Sequence, residues 1–539
     1  MRRWNGWGDD ATSIDLNEGA RAMMVERLGP GLPGVDATRS EMLKEIPPSR
    51  LTDSHALIQT DADVRFSMAM GESFGDWIRK RCGALPPVPD GVAFVESTEQ
   101  VRELLALAHA NNWMVIPFAG GTSVAGHLDC PISERPILSI NLSRMNRLLH
   151  LDKQSQLATF GAGTPGPQLE AQLRAQGYTL GHFPQSFEYS TVGGWVVTRS
   201  SGQQSLRYGR IEQLFAGGHM ETPVGALNIP TLPAASSGPD LREVVMGSEG
   251  RFGILTEVTV RVTALPEHES FHAIFLPNWD AAEVAVRTLV QRKLPLSMMR
   301  LSNGIETQTN LILAGHAKLI GWMERYLALR GCGEGKCMLM MGVTGDQRTA
   351  RHTLREARRT LGEFGAVYIG PAMGSKWAAN RFKGPYLRNT LWDQGYSADT
   401  IETAVDWPNV KTLMLVMEQT SRDVFAQYGE RVHAFTHLSH MYPQGSSIYS
   451  QFVWATVSGG FAPNFERWQK LKAAVAKTIA DHGGTVSHQH GVGRDHATQL
   501  HVEKGQLGMS TLAELCRHFD PKKIMNPGKL LQDEGPWAT

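Results

Sequence analysis

Two histidines that lie one residue apart are the strongest candidates for chemistry in this sequence. His488 and His490 flank Gln489 in the stretch Ser-His-Gln-His-Gly-Val-Gly-Arg. In an extended segment alternate side chains point to the same side, so both imidazoles would face one partner. Such a pair can bind a metal, relay a proton, or combine one functional imidazole with a structural neighbour. Because the sequence offers no third ligand for the pair, we predict no metal site.

Tyr449 is a further candidate, within a predicted strand over residues 447–454. Because strand side chains alternate between faces, Ile448, Phe452 and Trp454 share one face and Tyr449 lies on the other, more polar face. The spacing alone favours a core tyrosine whose hydroxyl is hydrogen-bonded. Apolar residues at helical spacing over 465–479 predict a helix that ends at a glycine pair, before a short strand and the two histidines.

Two arginines complete the set of candidate site residues. Arg300 lies in Met-Met-Arg-Leu-Ser and Arg388 lies in Pro-Tyr-Leu-Arg-Asn. A guanidinium suits a phosphate because it donates two parallel hydrogen bonds. A surface ion pair is the commoner fate of an arginine, and the spacing leaves that reading open for both.

Three glycine-rich clusters, at 117–123, 191–209 and 246–253, are candidates for binding an anion. Glycines let backbone N–H groups approach a ligand closely and surround its negative charge. The first cluster, Pro-Phe-Ala-Gly-Gly-Thr-Ser, is neither GxGxxG nor a Walker A loop, which argues against a mononucleotide hydrolase. One such loop can be merely a tight turn that needs positive φ, but three are stronger evidence for a bound ligand.

The segments around the first cluster predict an α/β unit. A short strand over 92–95, a helix with apolar residues at 101, 104, 105 and 108, and a strand over 114–116 lead directly into the glycines. Many nucleotide-binding folds begin with such a β-α-β arrangement. A third strand is predicted over 254–262, after the last glycine cluster.

Length and composition set broader limits. A chain of 539 residues with 42% hydrophobic residues should form several domains. The formal net charge is zero, so no nucleic-acid partner is expected. Five cysteines without a CxxC pair indicate buried thiols in a reducing compartment, rather than zinc. The sequence has no signal peptide, spanning segment or C-terminal address, and we expect a cytoplasmic protein.

The chain resembles a known group of flavoproteins in several motifs. The first and third glycine clusters match the P-x-x-GG-[TH]-S and GSEG-x-[FL]-G-[IV] segments of the vanillyl-alcohol-oxidase superfamily. The stretches Arg-Trp-Asn-Gly-Trp-Gly-Asp, Gly-His-Phe-Pro-Gln-Ser-Phe-Glu-Tyr-Ser-Thr-Val-Gly-Gly-Trp and Ser-Ser-Gly-Pro-Asp are similar to the alkyldihydroxyacetonephosphate synthase family, and the resemblance extends over about residues 4–530. Some superfamily members attach FAD through a histidine where this chain has Thr122, so non-covalent FAD is expected.

The resemblance implies an α+β fold with four regions. They are a helical N-terminal region (1–85), a two-subdomain PCMH-type FAD-binding domain (86–265), an α+β cap domain with an antiparallel sheet for the substrate (266–500), and a C-terminal segment that returns to the FAD domain (501–539).

By the same resemblance, four segments contact the flavin. Gln185 departs from the family, which usually has aspartate there. The expected cofactor-binding residues are Pro117, Phe118, Ala119, Gly120, Gly121, Thr122, Ser123, Gln185, Ser186, Phe187, Glu188, Tyr189, Ser190, Thr191, Thr198, Arg199, Ser200, Ser201, Glu249, Gly250, Arg251, Phe252, Gly253, Ile254 and Leu255.

The reaction implied by the resemblance exchanges the acyl chain of acyl-dihydroxyacetone phosphate for a long-chain alcohol, without net redox change. Tyr449, His488 and His490 would move protons, Arg388 would bind the substrate phosphate, and Arg300 would support the site. Gln489 replaces the middle one of three family histidines, and glutamine cannot carry a proton. The family's E-T-x-x-x-W stretch, here 402–407, would lie near the site or only pack. A homodimer and peripheral membrane contact are also expected.

Two other functions remain open from the sequence. An FAD-dependent D-2-hydroxyacid dehydrogenase or oxidase would share the fold, but the H-x-GDGN-x-H motif of that group is missing over 440–449, where Tyr449 replaces the second histidine. A flavin-binding scaffold without activity is the third reading, which Gln489 supports and the retained Tyr449, Arg388 and histidines oppose.

Overall fold

The computed structural model describes residues 2–52 and 55–532. Residues 1 and 53–54 of the predicted N-terminal region lie outside the described residues. So do residues 533–539 of the predicted C-terminal segment, where the sequence predicts no targeting address.

The N-terminal region is helical, and each of its helices begins at a polar side chain that caps it. Asn17, Thr38, Asp61 and Ser73 each accept a hydrogen bond from a backbone N–H of the first turn, which satisfies a donor that the helix itself cannot pair. The elements are α1 (Glu18–Leu28), α2 (Arg39–Lys44), β1 (Ile58–Gln59), α3 (Ala62–Ser67) and α4 (Phe74–Cys82).

The predicted β-α-β unit is confirmed. Its helix buries the four apolar positions named above, and its strands pair in parallel on either side of a third strand. The four-stranded sheet has the order β1-β2-β4-β3. The elements are β2 (Gly91–Phe94), α5 (Thr98–Asn111), β3 (Met114–Phe118) and β4 (Ile137–Asn141).

A second, antiparallel sheet completes this half of the molecule. It has the order β5-β6-β10-β8-β9, and a separate pair of short strands, β7 and β11, lies beside it. Its strands are β5 (Leu148–Asp152), β6 (Leu157–Gly161), β7 (Tyr178–Thr179), β8 (Phe215–Thr222), β9 (Gly225–Ile229), β10 (Ile254–Arg261) and β11 (Thr263–Ala264). Its helices are α6 (Gly166–Arg174), α7 (Val192–Val197), α8 (Ser205–Tyr208), α9 (Ile211–Leu214) and α10 (Leu241–Val245).

The remaining half is built on a seven-stranded antiparallel sheet. Its order is β15-β12-β14-β13-β17-β18-β16. Its strands are β12 (His268–Leu276), β13 (Leu296–Ser302), β14 (Cys337–Gly345), β15 (Val367–Gly370), β16 (Tyr396–Asp406), β17 (Val432–Leu438) and β18 (Gly445–Ala455).

Helices cover this sheet and bury the largest hydrophobic cluster of the described chain. Ile448, Phe452 and Trp454 are fully buried in that cluster, as predicted from their alternation, and Trp454 packs between Phe74 and Phe425. The helices are α11 (Trp279–Gln291), α12 (Gly304–Leu313), α13 (Ala317–Leu329), α14 (Gln347–Gly362), α15 (Ala372–Asn380), α16 (Leu387–Asp393), α17 (Trp407–Ala426) and α18 (Phe461–Asp481), with a 3-10 turn at Gly384–Tyr386.

The C-terminal segment packs back on the first sheet. After the 3-10 turn Ala497–Gln499 and α19 (Leu500–Phe519), Met525 bridges to Val115 in β3, and Arg251 donates to the carbonyl oxygen of Met525 at 3.1 Å. This contact joins the last part of the chain to the third glycine cluster. All five cysteines are free thiols, and none of the helices in the described residues could cross a membrane.

Candidate active site

A row of polar side chains crosses the seven-stranded sheet on one face. Tyr449 in β18 lies directly opposite His437 in β17 and directly opposite Glu402 in β16. Side chains paired in this way across antiparallel strands share a face and contact each other. Arg300 extends the row on β13, where its Nη2 lies 3.1 Å from Nδ1 of His437.

Tyr449 is the centre of this row. Its hydroxyl donates to Oγ1 of Thr400 at 3.0 Å, and its ring stacks on His437 with centroids 4.9 Å apart. Its ring edge also meets the ring of His490 at 5.9 Å. Burial raises the pKa of Tyr449, so the phenol stays protonated at neutral pH and can donate a proton.

Arg300 is held by a buried carboxylate. Nη2 donates to Oε1 of Glu306 at 2.6 Å, and Nε2 of Gln451 donates to the same oxygen at 3.0 Å. Burial opposes ionisation of Glu306, but the charges of Arg300 and His437 outweigh it and lower its pKa to about 2. The positive charge of Arg300 is therefore balanced inside the protein, and its guanidinium is fixed beside the row.

The histidine segment is not extended, and the predicted short strand before it is wrong: residues 485–495 contain neither strand nor helix. Its backbone N–H groups therefore need other acceptors. The carboxylate of Glu402 accepts from the N–H groups of Gln489 (2.7 Å) and His490 (2.9 Å). After Gly491, the carboxylate of Glu249 accepts from the N–H groups of Val492 (2.5 Å) and Gly493 (2.7 Å). Two buried carboxylates thus supply the hydrogen-bond acceptors that a neighbouring strand would supply to an extended segment.

Both imidazoles turn toward Glu402, although the reason is this bend and not strand alternation. Nδ1 of His490 lies 3.4 Å from Glu402 Oε1, and Nδ1 of His488 lies 3.6 Å from Oε2. Burial opposes ionisation of Glu402, but the charges and hydrogen bonds of this segment, His490 first, lower its pKa. Burial lowers the pKa of both histidines, so both are neutral at neutral pH beside an ionised carboxylate.

The two histidines differ in the hydrogen-bond partners of their second ring nitrogen, Nε2. Nε2 of His488 lies 3.0 Å from Nη1 of Arg210 and 2.7 Å from the hydroxyl of Tyr442. Arginine only donates, so Nε2 accepts and the proton of His488 is on Nδ1. Nε2 of His490 has no partner within the described chain, and its side chain is 21% exposed. His490 is therefore able to exchange a proton with a ligand, and His488 is its structural neighbour.

Gln489 lies between them. Its backbone N–H binds Glu402, whereas its side-chain Oε1 is inaccessible to solvent and has no hydrogen-bond partner in the described structure. An amide oxygen in this state can accept a hydrogen bond but cannot carry a proton.

Arg388 is available for an anion. Only Nη1 is hydrogen-bonded, to the carbonyl oxygen of Glu72 at 3.0 Å, while Nε and Nη2 are inaccessible to solvent and lack a partner among the described residues. The guanidinium lies over the rings of Trp77 (4.6 Å) and Phe74 (5.4 Å), which fix its plane. Burial lowers its pKa, but arginine remains charged at neutral pH. A planar cation with two unpaired donors suits one phosphate.

The three glycine clusters meet one another. A Cβ on Gly120 would lie 2.2 Å from the carbonyl oxygen of Tyr189, two residues before the second cluster, and one on Gly250 would lie 3.1 Å from Pro117. Glu249 donates its N–H to the carbonyl oxygen of Val197 at 3.0 Å. Gly120 leaves no room for a side chain and Gly250 has a positive φ that favours glycine, so the backbones of the clusters form one continuous cradle.

The cradle contains polar groups that have no protein partner. Oγ of Ser201, Oγ of Ser248 and Oε2 of Glu188 are inaccessible to solvent and lack a hydrogen bond in the described chain. Buried polar atoms are rarely left unpaired in a native protein. A ligand rich in hydrogen-bonding groups, such as FAD, fits this donor and acceptor set.

Several side chains in the expected cofactor-binding set make contacts within the protein instead. Phe187 stacks on Phe382 at 4.9 Å, Phe252 stacks on Phe519 at 5.3 Å, and Arg199 forms an ion pair with Glu243. Gln185 is exposed and donates to the carbonyl oxygen of Arg381 at 2.8 Å. These residues shape the cradle through their backbone, whereas Glu249 supports the histidine segment.

The N-terminal stretch 2–9 reaches the same site. Arg2 lies over the ring of Tyr189 at 5.1 Å, and Trp7 meets that ring edge-on at 5.7 Å. The side-chain amide of Asn389 accepts from the Trp7 N–H at 3.2 Å and donates to its carbonyl oxygen at 2.9 Å. This stretch therefore joins Tyr189, two residues before the second glycine cluster, to the helix that carries Arg388.

Sequence reasoning missed the residues that hold the histidines. Glu402 has one signal in the sequence, the E-T-x-x-x-W stretch, which is equally consistent with packing. Glu249 is expected from the resemblance to contact the cofactor. Its carboxylate instead binds the N–H of Val492, which is 243 residues away in the chain, so the sequence gives no sign of this contact. Arg210, Tyr442 and His437 had no signal, because each comes from a different element and contacts the site only after folding.

Comparisons with known proteins agree with this architecture. The family model described as "FAD binding domain" matches residues 89–227, and the one described as "FAD linked oxidases, C-terminal domain" matches residues 265–530. The alkyldihydroxyacetonephosphate synthase of Trypanosoma brucei brucei is 29% identical over 100% of this chain and 94% of its own. That of Dictyostelium discoideum is 30% identical over 91% of this chain and 80% of its own.

A solved structure of an alkyldihydroxyacetonephosphate synthase superposes with a TM-score of 0.83, at 26% identity and with 98% of each chain covered. The predicted α+β fold with a PCMH-type FAD-binding domain is confirmed, and so is FAD as the cofactor.

Replacing Glu402 with Gln should change the pH dependence of turnover. The carboxylate raises the pKa of His490 against the effect of burial, so its loss should lower that pKa further. We expect the acidic limb of the kcat/KM profile to move down by about one pH unit or more, with a lower maximal rate, because the imidazole becomes a weaker base. Glu503→Gln is the matched control, because Glu503 accepts from the N–H of Val486 without touching either imidazole. An unmoved limb in Glu402→Gln would contradict the assignment.

Replacing Arg388 with Gln should weaken the binding of a phosphate monoester. Loss of two charge-assisted hydrogen bonds should reduce affinity for glycerol phosphate at least about tenfold, while glycerol binding does not change. Arg388→Lys should recover part of the affinity, because it restores the charge but not the paired donors. Arg422→Gln, which removes an ion pair with Glu418 on α17, serves as the control. Equal binding by all variants in calorimetry would remove Arg388 from the ligand site.

Proposed function

The chain belongs to the alkyldihydroxyacetonephosphate synthase family, and we propose that it exchanges the acyl chain of acyl-dihydroxyacetone phosphate for a long-chain alcohol. The products are alkyl-dihydroxyacetone phosphate and a fatty acid, and there is no net redox change. The observation that supports this most is the combination of an aromatic-flanked arginine with two unpaired donors and a buried tyrosine–histidine–carboxylate row beside an FAD cradle.

The three glycine clusters would hold FAD without a covalent link, because Thr122 offers no nitrogen for one. Backbone N–H groups around Gly120 and Gly121 suit the pyrophosphate. When bound, the flavin supplies an electron-poor ring that can act as the covalent catalyst of the exchange.

The phosphate of the substrate would bind to Arg388. Asp399 lies within electrostatic range of Arg388, Tyr449 and His490, which supports one continuous site for the phosphate and the reacting carbon. Arg300 does not compete for the phosphate, because Glu306 already balances its charge. Arg300 instead fixes His437, on which Tyr449 stacks.

Proton transfer would be divided between two residues. His490 is neutral with a free Nε2, so it can accept the proton that leaves C1 of the substrate, and the Glu402 carboxylate stabilises the imidazolium that forms. Tyr449 stays protonated because burial raises its pKa, and it can donate to the leaving carboxylate. Environments that push the pKa values of two neighbouring groups apart assign one as base and one as acid.

The departure at Gln489 does not remove either role. His490 keeps its contact with Glu402, and the Gln489 N–H still binds that carboxylate. A glutamine side chain at this position limits the site to one exchangeable imidazole. The D-2-hydroxyacid dehydrogenase alternative is less well supported, because Tyr449 and a bonded His440 stand where its motif would place the ligating histidines.

The setting of the enzyme is part of the proposal. We expect a cytoplasmic protein, as in the sequence-based prediction. Because both chains that it handles are long and apolar, it would meet its substrates at a membrane surface. A homodimer is expected from the family resemblance.

The proposed reaction can be tested with purified, flavin-loaded protein. Palmitoyl-dihydroxyacetone phosphate and hexadecanol should yield hexadecyl-dihydroxyacetone phosphate and palmitate by mass spectrometry. Tyr449→Phe should lower kcat about a hundredfold or more, because the acid is lost. Tyr428→Phe, which removes only a surface hydroxyl bonded to Glu466, should leave kcat unchanged.

Two results would contradict the proposal. One is the absence of ether product together with rapid bleaching of the flavin by D-lactate, which would favour the dehydrogenase. The other is full turnover by Tyr449→Phe, which would exclude the tyrosine from proton transfer.

A further inference from the structure

Helix α13 carries an apolar stripe that faces outward. Leu319, Trp322, Tyr326 and Leu329 recur at intervals of three and four residues, which places them on one side of the helix. Their exposed fractions are 70%, 69%, 45% and 86%. Large exposed residues elsewhere in the described chain are scattered, but these four fall within eleven consecutive positions. A contiguous apolar patch of this kind marks an interaction surface.

A second side of α13 is also apolar and already packs against the protein. Leu327 is fully buried, and Ile320 and Met323 pack with it against Phe275 and Leu311. A helix on the surface of a globular protein needs only one such stripe. The outward stripe is therefore not needed for folding, since α13 is anchored to the sheet by its inner side.

Positive charges border the stripe. Arg325 lies over the ring of Trp322 at 5.5 Å, and Arg330 lies over the ring of Tyr326 at 5.9 Å. In the part of the chain that the structure describes, no acidic residue forms an ion pair with Lys318, Arg325 or Arg330.

The acidic residue of the helix does not balance these charges. Glu324 is paired at 3.0 Å with Lys336, in the loop that follows α13. Lys376 of α15 adds a further cation, with its Nζ 3.4 Å from the carbonyl oxygen of Ala314, which ends α12 just before α13. The surface is thus apolar at its centre and cationic at its border.

We propose that α13 docks on the surface of a bilayer that contains anionic lipids. Tryptophan and tyrosine favour the interface between acyl chains and head groups, and long cationic side chains can reach phosphate groups while the leucines enter the acyl layer. The helix has 13 residues and is therefore about 20 Å long, which suits a helix that lies in the membrane plane. The cationic border favours anionic lipid over a second copy of the chain, whose α13 would present the same charges.

The docking helix is close in sequence to the active site. The preceding helix, α12, carries Glu306, which holds Arg300 and His437, and its last carbonyl groups are bonded to Asn17. Docking would bring the membrane next to the cap sheet. Docking would then help to deliver the acyl chain and the alcohol, and this role rests on the proposed function. Binding of α13 to lipid does not depend on that function.

Vesicle flotation with the full-length, flavin-loaded protein tests the proposal. The protein should float with phosphatidylcholine vesicles that contain phosphatidylglycerol and much less with phosphatidylcholine alone. The triple variant Leu319→Gln, Trp322→Gln, Leu329→Gln should lower the partition coefficient at least about tenfold. A matched pair of exposed residues far from α13, in the double variant Ile132→Gln, Leu507→Gln, should leave it unchanged; these residues are 94% and 80% exposed.

Charge should contribute separately. Lys318→Gln, Arg325→Gln, Arg330→Gln should remove the preference for phosphatidylglycerol and the dependence on salt. The proposal is overturned if the wild-type protein stays with the soluble fraction, or if the leucine–tryptophan variant floats as well as the wild type. It is also overturned if that variant changes a dimer into a monomer without any change in flotation, because a second copy would then cover the stripe.

Turnover of a short-chain, water-soluble acyl-dihydroxyacetone phosphate separates docking from catalysis. The leucine–tryptophan variant should turn it over at the wild-type rate, because none of its changes touches the site. If the wild-type protein binds lipid but forms no ether product, the proposed function is wrong and the docking surface is still supported.

Discussion

The site depends on how one irregular stretch of backbone satisfies its hydrogen bonds. Residues 487–493 have neither helix nor strand partners, and four of their N–H groups bind the carboxylates of Glu402 and Glu249. Each buried N–H left unpaired would cost about 1–3 kcal/mol, so these two residues determine the path of the segment. Glu402 belongs to the cap sheet and Glu249 to the cofactor cradle. The same bonds therefore position His490 and join the two halves of the molecule.

Much of the fold could be predicted because it is encoded in local patterns. The β-α-β unit, the α18 helix and the strand that carries Tyr449 each follow from apolar residues at the period of their own element. The order of the seven strands could not be predicted from the sequence, because pairing partners such as β16 and β18 are set by packing between distant segments. The strand predicted before His488 failed for a related reason, since side-chain carboxylates there replace a neighbouring strand.

The candidate site divides in the same way. The histidine pair and the glycine clusters are candidates from residue type and spacing alone, because their chemistry is visible in the sequence. Tyr449 and Arg388 gain a role only from the family resemblance, since their spacing alone favours a core tyrosine and leaves a surface ion pair open. The division of labour between His488 and His490 was hidden, because it depends on Arg210, which is 278 residues from His488 in the chain. The spacing predicts that the two imidazoles point the same way. They do so because both turn toward the carboxylate of Glu402, and not because of strand alternation. A motif can thus name reactive groups without showing which of them is free to react.

Hydrogen exchange of the backbone amides of residues 487–493, measured by mass spectrometry, tests this account most directly. The peptide should exchange slowly in the native protein, despite its lack of secondary structure, because four of its amides donate to buried carboxylates. Exchange should become fast in Glu402→Ala at the amides of Gln489 and His490, and in Glu249→Ala at those of Val492 and Gly493. Fast exchange in the native protein, at the rate of an open loop, would contradict the clamp on which the site is built.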